Sequence, residues 1–202
     1  MSDSVLPDRA DRLALYLSVG VFAFGAIITV ISTVARLVEV AAGSEIPVTV
    51  PLSEMSVGLP LGPNGSEVTA QVDSATILVS DPAPATLFAL WAQPIWLALT
   101  VLAGLALASV FVLRVARGQV FTRGAVRLAM AGAFLIAIGW AGSLLFTSIA
   151  TNGSLATVGE GTYDAVSIPV SLAPFLVFLF LGALGIALQI GERLQRETEG
   201  LV

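Results

Sequence analysis

Nine arginines are the only cationic side chains in this 202-residue chain, because lysine and histidine are both absent. Four of them crowd into one stretch, Arg114-Val115-Ala116-Arg117-Gly118-Gln119-Val120-Phe121-Thr122-Arg123, extended to Arg127. Arginines set between two apolar runs fix the orientation of a chain in a membrane and meet the anionic headgroups of its lipids. Arg114, Arg117, Arg123 and Arg127 are therefore the expected topology determinants and anionic-lipid contacts. A second group, Glu192, Arg193 and Arg196, stands near the C-terminus. Glu192–Arg196 and Arg193–Glu197 have the i,i+4 spacing of helical ion pairs. That group reads either as a solvated helix end or as a contact for a cytoplasmic partner.

The rest of the reactive repertoire is missing. Without Lys, His or Cys there is no Ser-His triad, Ser-Lys dyad or Cys nucleophile, and no zinc site with His or Cys ligands. No phosphate-binding glycine loop follows a strand. The centres of the apolar runs carry no carboxylate, so intramembrane aspartyl chemistry and ion-coupled transport both lack their groups. The expectation is a protein that is not an enzyme, with no catalytic residues, no cofactor and no metal. Direct nucleic-acid binding is not expected either.

The elements that position these arginines are four charge-free runs: Leu13 to Ala35, Pro82 to Leu113, Leu128 to Thr151 and Ala165 to Gly191. A helix needs about 20 apolar residues to cross a bilayer. The composition agrees, with 56% hydrophobic and only 11% charged residues, against about 25% charged in soluble domains. The expected fold is an all-α membrane core, a single domain over 1–202 of four transmembrane helices in an antiparallel bundle. The spans are placed at 12–41, 84–114, 123–150 and 167–192. The connections are an outer β-rich loop at 43–81, a cytoplasmic turn at 115–122, a second outer loop at 152–166 and a tail at 193–202. Ser18, Thr29, Thr100, Ser109 and Ser143 should bond back to their own helices. Gln93 and Gln189, near helix ends, should be wet.

Eight of the nine arginines flank these runs on one side, at the two termini and in the central turn. The two remaining connections carry carboxylates and no arginine. The positive-inside rule then puts both termini and the central turn in the cytoplasm. Arg36 is the exception, placed to pair with Glu39 at i,i+3. The first run is too long for a cleaved leader, whose apolar part spans about 7–15 residues.

The loop at 43–81 changes period. Ile46, Val48, Val50 and Leu52 alternate with polar residues and prolines, the period of a strand. Val57 to Leu61 reads as a second strand and Gly62-Pro63-Asn64-Gly65-Ser66 as a turn. Val68, Ala70 and Val72 then give way to Ala75, Ile77 and Val79, a one-residue phase shift that implies a bulge or another turn. The expectation is a small extracytoplasmic antiparallel β-sheet. Ser154 to Val158 and Tyr163 to Ile168 of the second outer loop, after the turn Asn152-Gly153-Ser154, are candidates to extend it. Trp91 and Trp96 bracket Pro94 where interfacial aromatics belong. Thr122 is placed to cap the third helix, and Phe121 to staple onto Val126.

Small residues recur every fourth position at Ala125, Ala129, Ala133, Ala137 and Ala141, and again at Ala183, Ala187 and Gly191. Such ridges let helices approach closely in lipid. They serve either packing inside one bundle or a homo-oligomer interface.

Two segments resemble a known family. The step Arg117-Gly118-Gln119-Val120-Phe121-Thr122 before a helix, and the ending Gly191-Glu192-Arg193-Leu194-Gln195-Arg196-Glu197-Thr198-Glu199-Gly200-Leu201-Val202, are similar to motifs of the DUF2975 family of bacterial four-helix membrane proteins. The family's Phe before the C-terminal Gly is Ile190 here. The resemblance implies the same four-helix layout and a regulatory partnership with a small helix-turn-helix protein, but no reaction. Two functions compete at this point. One is a regulatory, sensing or scaffold protein of the bacterial cell envelope. The other is a small transport or immunity-type protein that binds a hydrophobic compound or peptide within the bundle.

Overall fold

The computed structural model describes residues 9–119, 122–159 and 171–199. In chain order they form α1 (Arg9–Ala42), β1 (Ile46–Leu59), a short 3-10 turn (Pro63–Gly65), β2 (Val68–Val79), α2 (Pro84–Ala116), α3 (Arg123–Val158) and α4 (Ala173–Glu199). All four helices are long and apolar enough to cross a membrane. The 33 residues of α2 rise about 50 Å, well beyond the roughly 30 Å of a hydrocarbon core.

The side chains are distributed inside out. Leu17, Val21, Phe24, Ile31, Leu176 and Phe180 are exposed, while Ala98, Ala125, Ala129 and Ala133 are buried. Water would drive the large apolar groups inward. Lipid does not, and there small residues are what bring backbones together.

The chain divides into two compact units. The first comprises Met1–Val34, Ile95–Gly142 and Ser171–Val202. Its helices meet at residues that lack a side chain. A Cβ at Gly139 would overlap Thr100, and one at Gly142 would overlap the Trp96 indole. The indole also donates Nε1–H to the Gly139 carbonyl at 3.1 Å, so Trp96 bonds to α3. Gly25 of α1 faces Leu105, Gly132 of α3 faces Leu181, and Gly185 of α4 faces Met130. The hydroxyls of Ser18, Thr29, Thr100 and Ser109 each donate to the carbonyl four residues earlier, as expected.

The second unit comprises Ala35–Pro94 and Ser143–Val170. Its core joins Ile46, Val48 and Val50 of β1 and Val79 of β2 to Ala89 and Leu90 of α2 and Ala150 of α3. Among the described residues the sheet has two antiparallel strands. Register runs from Ile46↔Val79 to Pro51↔Ser74, breaks, and resumes at Met55↔Val72. Residues 52–54 thus lie opposite Asp73 alone, a two-residue register shift at the place where the phase shift implied a bulge or another turn. Asn64 takes the left-handed conformation at the hairpin tip, with φ of 60°. Arg36 bonds Glu39 Oε2 and the Pro47 carbonyl, both at 2.8 Å, and so fastens the end of α1 to β1.

Three local expectations are corrected. Val57 to Leu61 is not a separate strand, because β1 runs unbroken to Leu59. Asn152-Gly153-Ser154 is not a turn and Ser154 to Val158 is not a strand. Both lie inside α3. Here packing overrides turn chemistry. Gly153 admits Thr86, whose hydroxyl a Cβ would overlap. The Asn152 amide donates to the Ser148 carbonyl at 2.9 Å instead of closing a turn, and Ala150, Thr151 and Ser154 are buried on one helical face. Tyr163 to Ile168 lies outside the described residues. Third, Gln93 is not simply wet: its Nε2–H donates to the Thr147 hydroxyl at 2.9 Å.

These contacts predict a sharp contrast between glycines. Gly142→Val should destabilise the protein by about 1–3 kcal/mol through overpacking against Trp96. Gly20 has nothing near its missing Cβ, so Gly20→Ala should be neutral or stabilise by up to about 1 kcal/mol. Thermal unfolding of the detergent-solubilised protein, followed by tryptophan fluorescence, measures both.

Candidate functional site

The turn between α2 and α3 is built by its own backbone. Gly118, at φ of 73°, ends α2 in a Schellman motif. Its N–H bonds the Val115 carbonyl at 2.9 Å, and the Gln119 N–H bonds the Arg114 carbonyl at 2.9 Å. Thr122 caps α3, its hydroxyl accepting the Ala125 N–H at 3.2 Å. Phe121 lies outside the described residues.

This geometry sorts the four arginines. The Arg114 guanidinium lies over Gly124, filling the space a side chain would take. Arg117 is exposed at the end of α2. Arg123 and Arg127 turn the other way, into a cleft of about 620 Å³ that they share with Gln189, Glu192 and Arg193 of α4. Arg123 Nε stands 3.5 Å from Glu192 Oε1. Glu192 keeps only 13% of its side-chain exposure and Arg123 keeps 72%, so the pair adds little stability. Its effect is to hold the carboxylate between the helices, in a cleft that Arg127 and Arg193 also line. The side chain of Arg196 lies outside the described residues.

The cross-helix pair Arg123–Glu192 was not visible in the sequence, where Glu192 has an i,i+4 neighbour on its own helix. Nothing local signals a partner 69 positions away. The small-residue ridges also divide. Ala129 and Ala133 are buried, with Ala125, while Ala137 is half-buried and Ala141 exposed. Ala183 and Ala187 are exposed, and the face of α4 turned to α3 carries Leu181, Gly185 and Leu188. The i,i+4,i+7 spacing of those three was the available signal. The exposed alanines therefore do not pack inside the first unit.

A second concavity has opposite chemistry. Thr100, Gly104 and Phe111 of α2, Gly132 and Leu135 of α3 and Leu181 of α4 surround an apolar cavity of about 360 Å³. In the second unit, Ser154 Oγ is fully buried without a hydrogen-bond partner. The chain has no His or Lys to activate it. Among the described residues no group of carboxylates gathers to hold a metal ion.

Comparison with models of known protein families gave no match, and neither the curated proteins nor the solved structures gave one.

The cap makes a local prediction. Thr122→Ala should cost about 1 kcal/mol. Hydrogen exchange should then quicken at the Ala125 amide, with the α4 amides unchanged.

Proposed function

We propose that this chain is a non-enzymatic regulatory or scaffold protein of the cell membrane. In this reading both termini and the α2–α3 turn are cytoplasmic, and the β1–β2 hairpin is outside. The working surface is the cleft between the start of α3 and the end of α4. The observation that carries the reading is the convergence of Arg123, Arg127 and Arg193 there, with Glu192 the sole carboxylate among the lining residues. Guanidinium forks in an open cleft suit the carboxylates of an acidic protein segment. A helix-turn-helix regulator is the partner that the family resemblance suggests, and anionic headgroups are the natural competitors for the same arginines. The apolar cavity favours a second reading, a small transport or immunity-type protein that takes a hydrophobic compound or peptide.

The test separates docking from topology. Arg127→Gln with Arg193→Gln leaves Arg114, Arg117 and Arg123 in place to orient the chain. A soluble partner captured by the full-length protein in mild detergent should be lost from this variant, while reporter fusions show unchanged topology. Retention of the partner would place docking elsewhere. Neutralising Arg114, Arg117, Arg123 and Arg127 together should instead scramble orientation in the same reporter assay.

A further inference from the structure

The arginine cleft sits at a defined depth. From Ala173, where α4 begins, to Gly191 the chain carries no charge. That stretch rises about 27 Å, close to the roughly 30 Å of a hydrocarbon core. Glu192 and Arg193 follow directly. On α3 the charge-free stretch opens at Leu128, directly after Arg127. The charged residues that line the cleft from both helices therefore stand where the apolar runs end, which in a bilayer is the level of the lipid headgroups.

The lining selects among anions. Arg123, Arg127 and Arg193 are set against one carboxylate, Glu192, so the lining residues carry an excess of positive charge. Glu192 is paired with Arg123 at 3.5 Å. Arg127 has no ion pair among the described residues. Guanidinium groups hold phosphate oxygens through paired N–H donors. Beside them the lining is aliphatic, Val126 of α3 and Ile190 of α4, and Ile190 is exposed. A free inorganic anion leaves that apolar surface in water. The glycerol and first methylenes of a lipid cover it. A choline headgroup would bring its own cation to a cleft already in positive excess, so a headgroup of net negative charge is favoured over a zwitterionic one. Arg114 and Arg117 are not among the lining residues. Arg114 lies over Gly124, and Arg117 is exposed at the end of α2. The four arginines of the turn are thus not one equivalent basic patch.

We propose that the cleft between the start of α3 and the end of α4 binds the phosphate of one anionic membrane lipid, through Arg127 and Arg193, with Arg123 kept in the cleft by Glu192. The assignment rests on the membrane reading of the four helices and not on a protein partner.

The test is native mass spectrometry of the purified full-length protein in mild detergent, titrated with phosphatidylglycerol and, separately, with phosphatidylcholine. No soluble partner is present, so the result is independent of partner capture. The first phosphatidylglycerol should bind at least about tenfold more tightly than phosphatidylcholine, and added salt should weaken that preference. Equal binding of the two lipids, or a preference insensitive to salt, overturns the proposal without recourse to any variant. Arg127→Gln with Arg193→Gln should abolish the preference, while Arg117→Gln, outside the cleft, should keep it. A preference that survives the double variant, or that Arg117→Gln removes as fully, overturns the proposal, because the lipid is then held by the basic surface at large. Excess inorganic phosphate separates the two sources of the anion. Retention of the lipid in its presence supports the assignment, and displacement of the lipid would mark a site for soluble phosphate and overturn it.

Discussion

The absence of side chains along α3 is the constraint on which the rest of the structure depends. In the first unit Gly139 and Gly142 receive Thr100 and Trp96, and in the second Gly153 receives Thr86. Between lipid-facing helices there is no hydrophobic drive to associate, so close backbone contact and interhelical hydrogen bonds must supply it. The Trp96–Gly139 and Gln93–Thr147 bonds have this character. Within the first unit, replacing Gly139 or Gly142 would push Thr100 or Trp96 of α2 away from α3.

What could be read from the sequence was set by local physics. Four charge-free runs became four helices because nothing except internal backbone bonding serves in lipid. The Thr122 cap, the Arg36–Glu39 pair, the back-bonded hydroxyls and the register shift opposite Asp73 each involve neighbours in sequence or a strand's own period. What could not be read depends on distant partners. Asn152-Gly153-Ser154 has the composition of a turn, yet it is helix, with Thr86 packed on Gly153. Gln93 sits near a helix end, and only Thr147 makes it a crosslink. Ala183 and Ala187 match a packing ridge, yet the phase of α4 is set by Gly185 and Leu188. Small-residue spacing shows that a helix can be approached closely, but not on which face.

The candidate site shows the same limit. Arg123 and Arg127 were legible as a basic cluster, but their separation from Arg114 and Arg117 was not. The Schellman ending turns the chain by hydrogen bonds alone, and Gly124 leaves room for the Arg114 guanidinium to fold back. Arg114 is thereby taken up at the turn, Arg117 is left exposed, and Arg123 and Arg127 line the cleft beside α4. The charge count of the segment is the same either way, so composition cannot tell a topology signal from a binding cleft. The position of Glu192 is a separate matter, because a carboxylate held at 13% exposure against Arg123 is not a freely solvated helix end.

The basic cleft and the apolar cavity are both walled by α3 and α4, which invites the idea of one continuous site. Helical geometry argues against it. At about 100° per residue, Arg123, Val126 and Arg127 fall on one side of α3, and Leu128, Gly132, Leu135 and Ile136 on the other. The cleft and the cavity therefore lie on opposite sides of α3. Both concavities share α3 and α4, so any influence of one on the other must pass through the packing of those two helices.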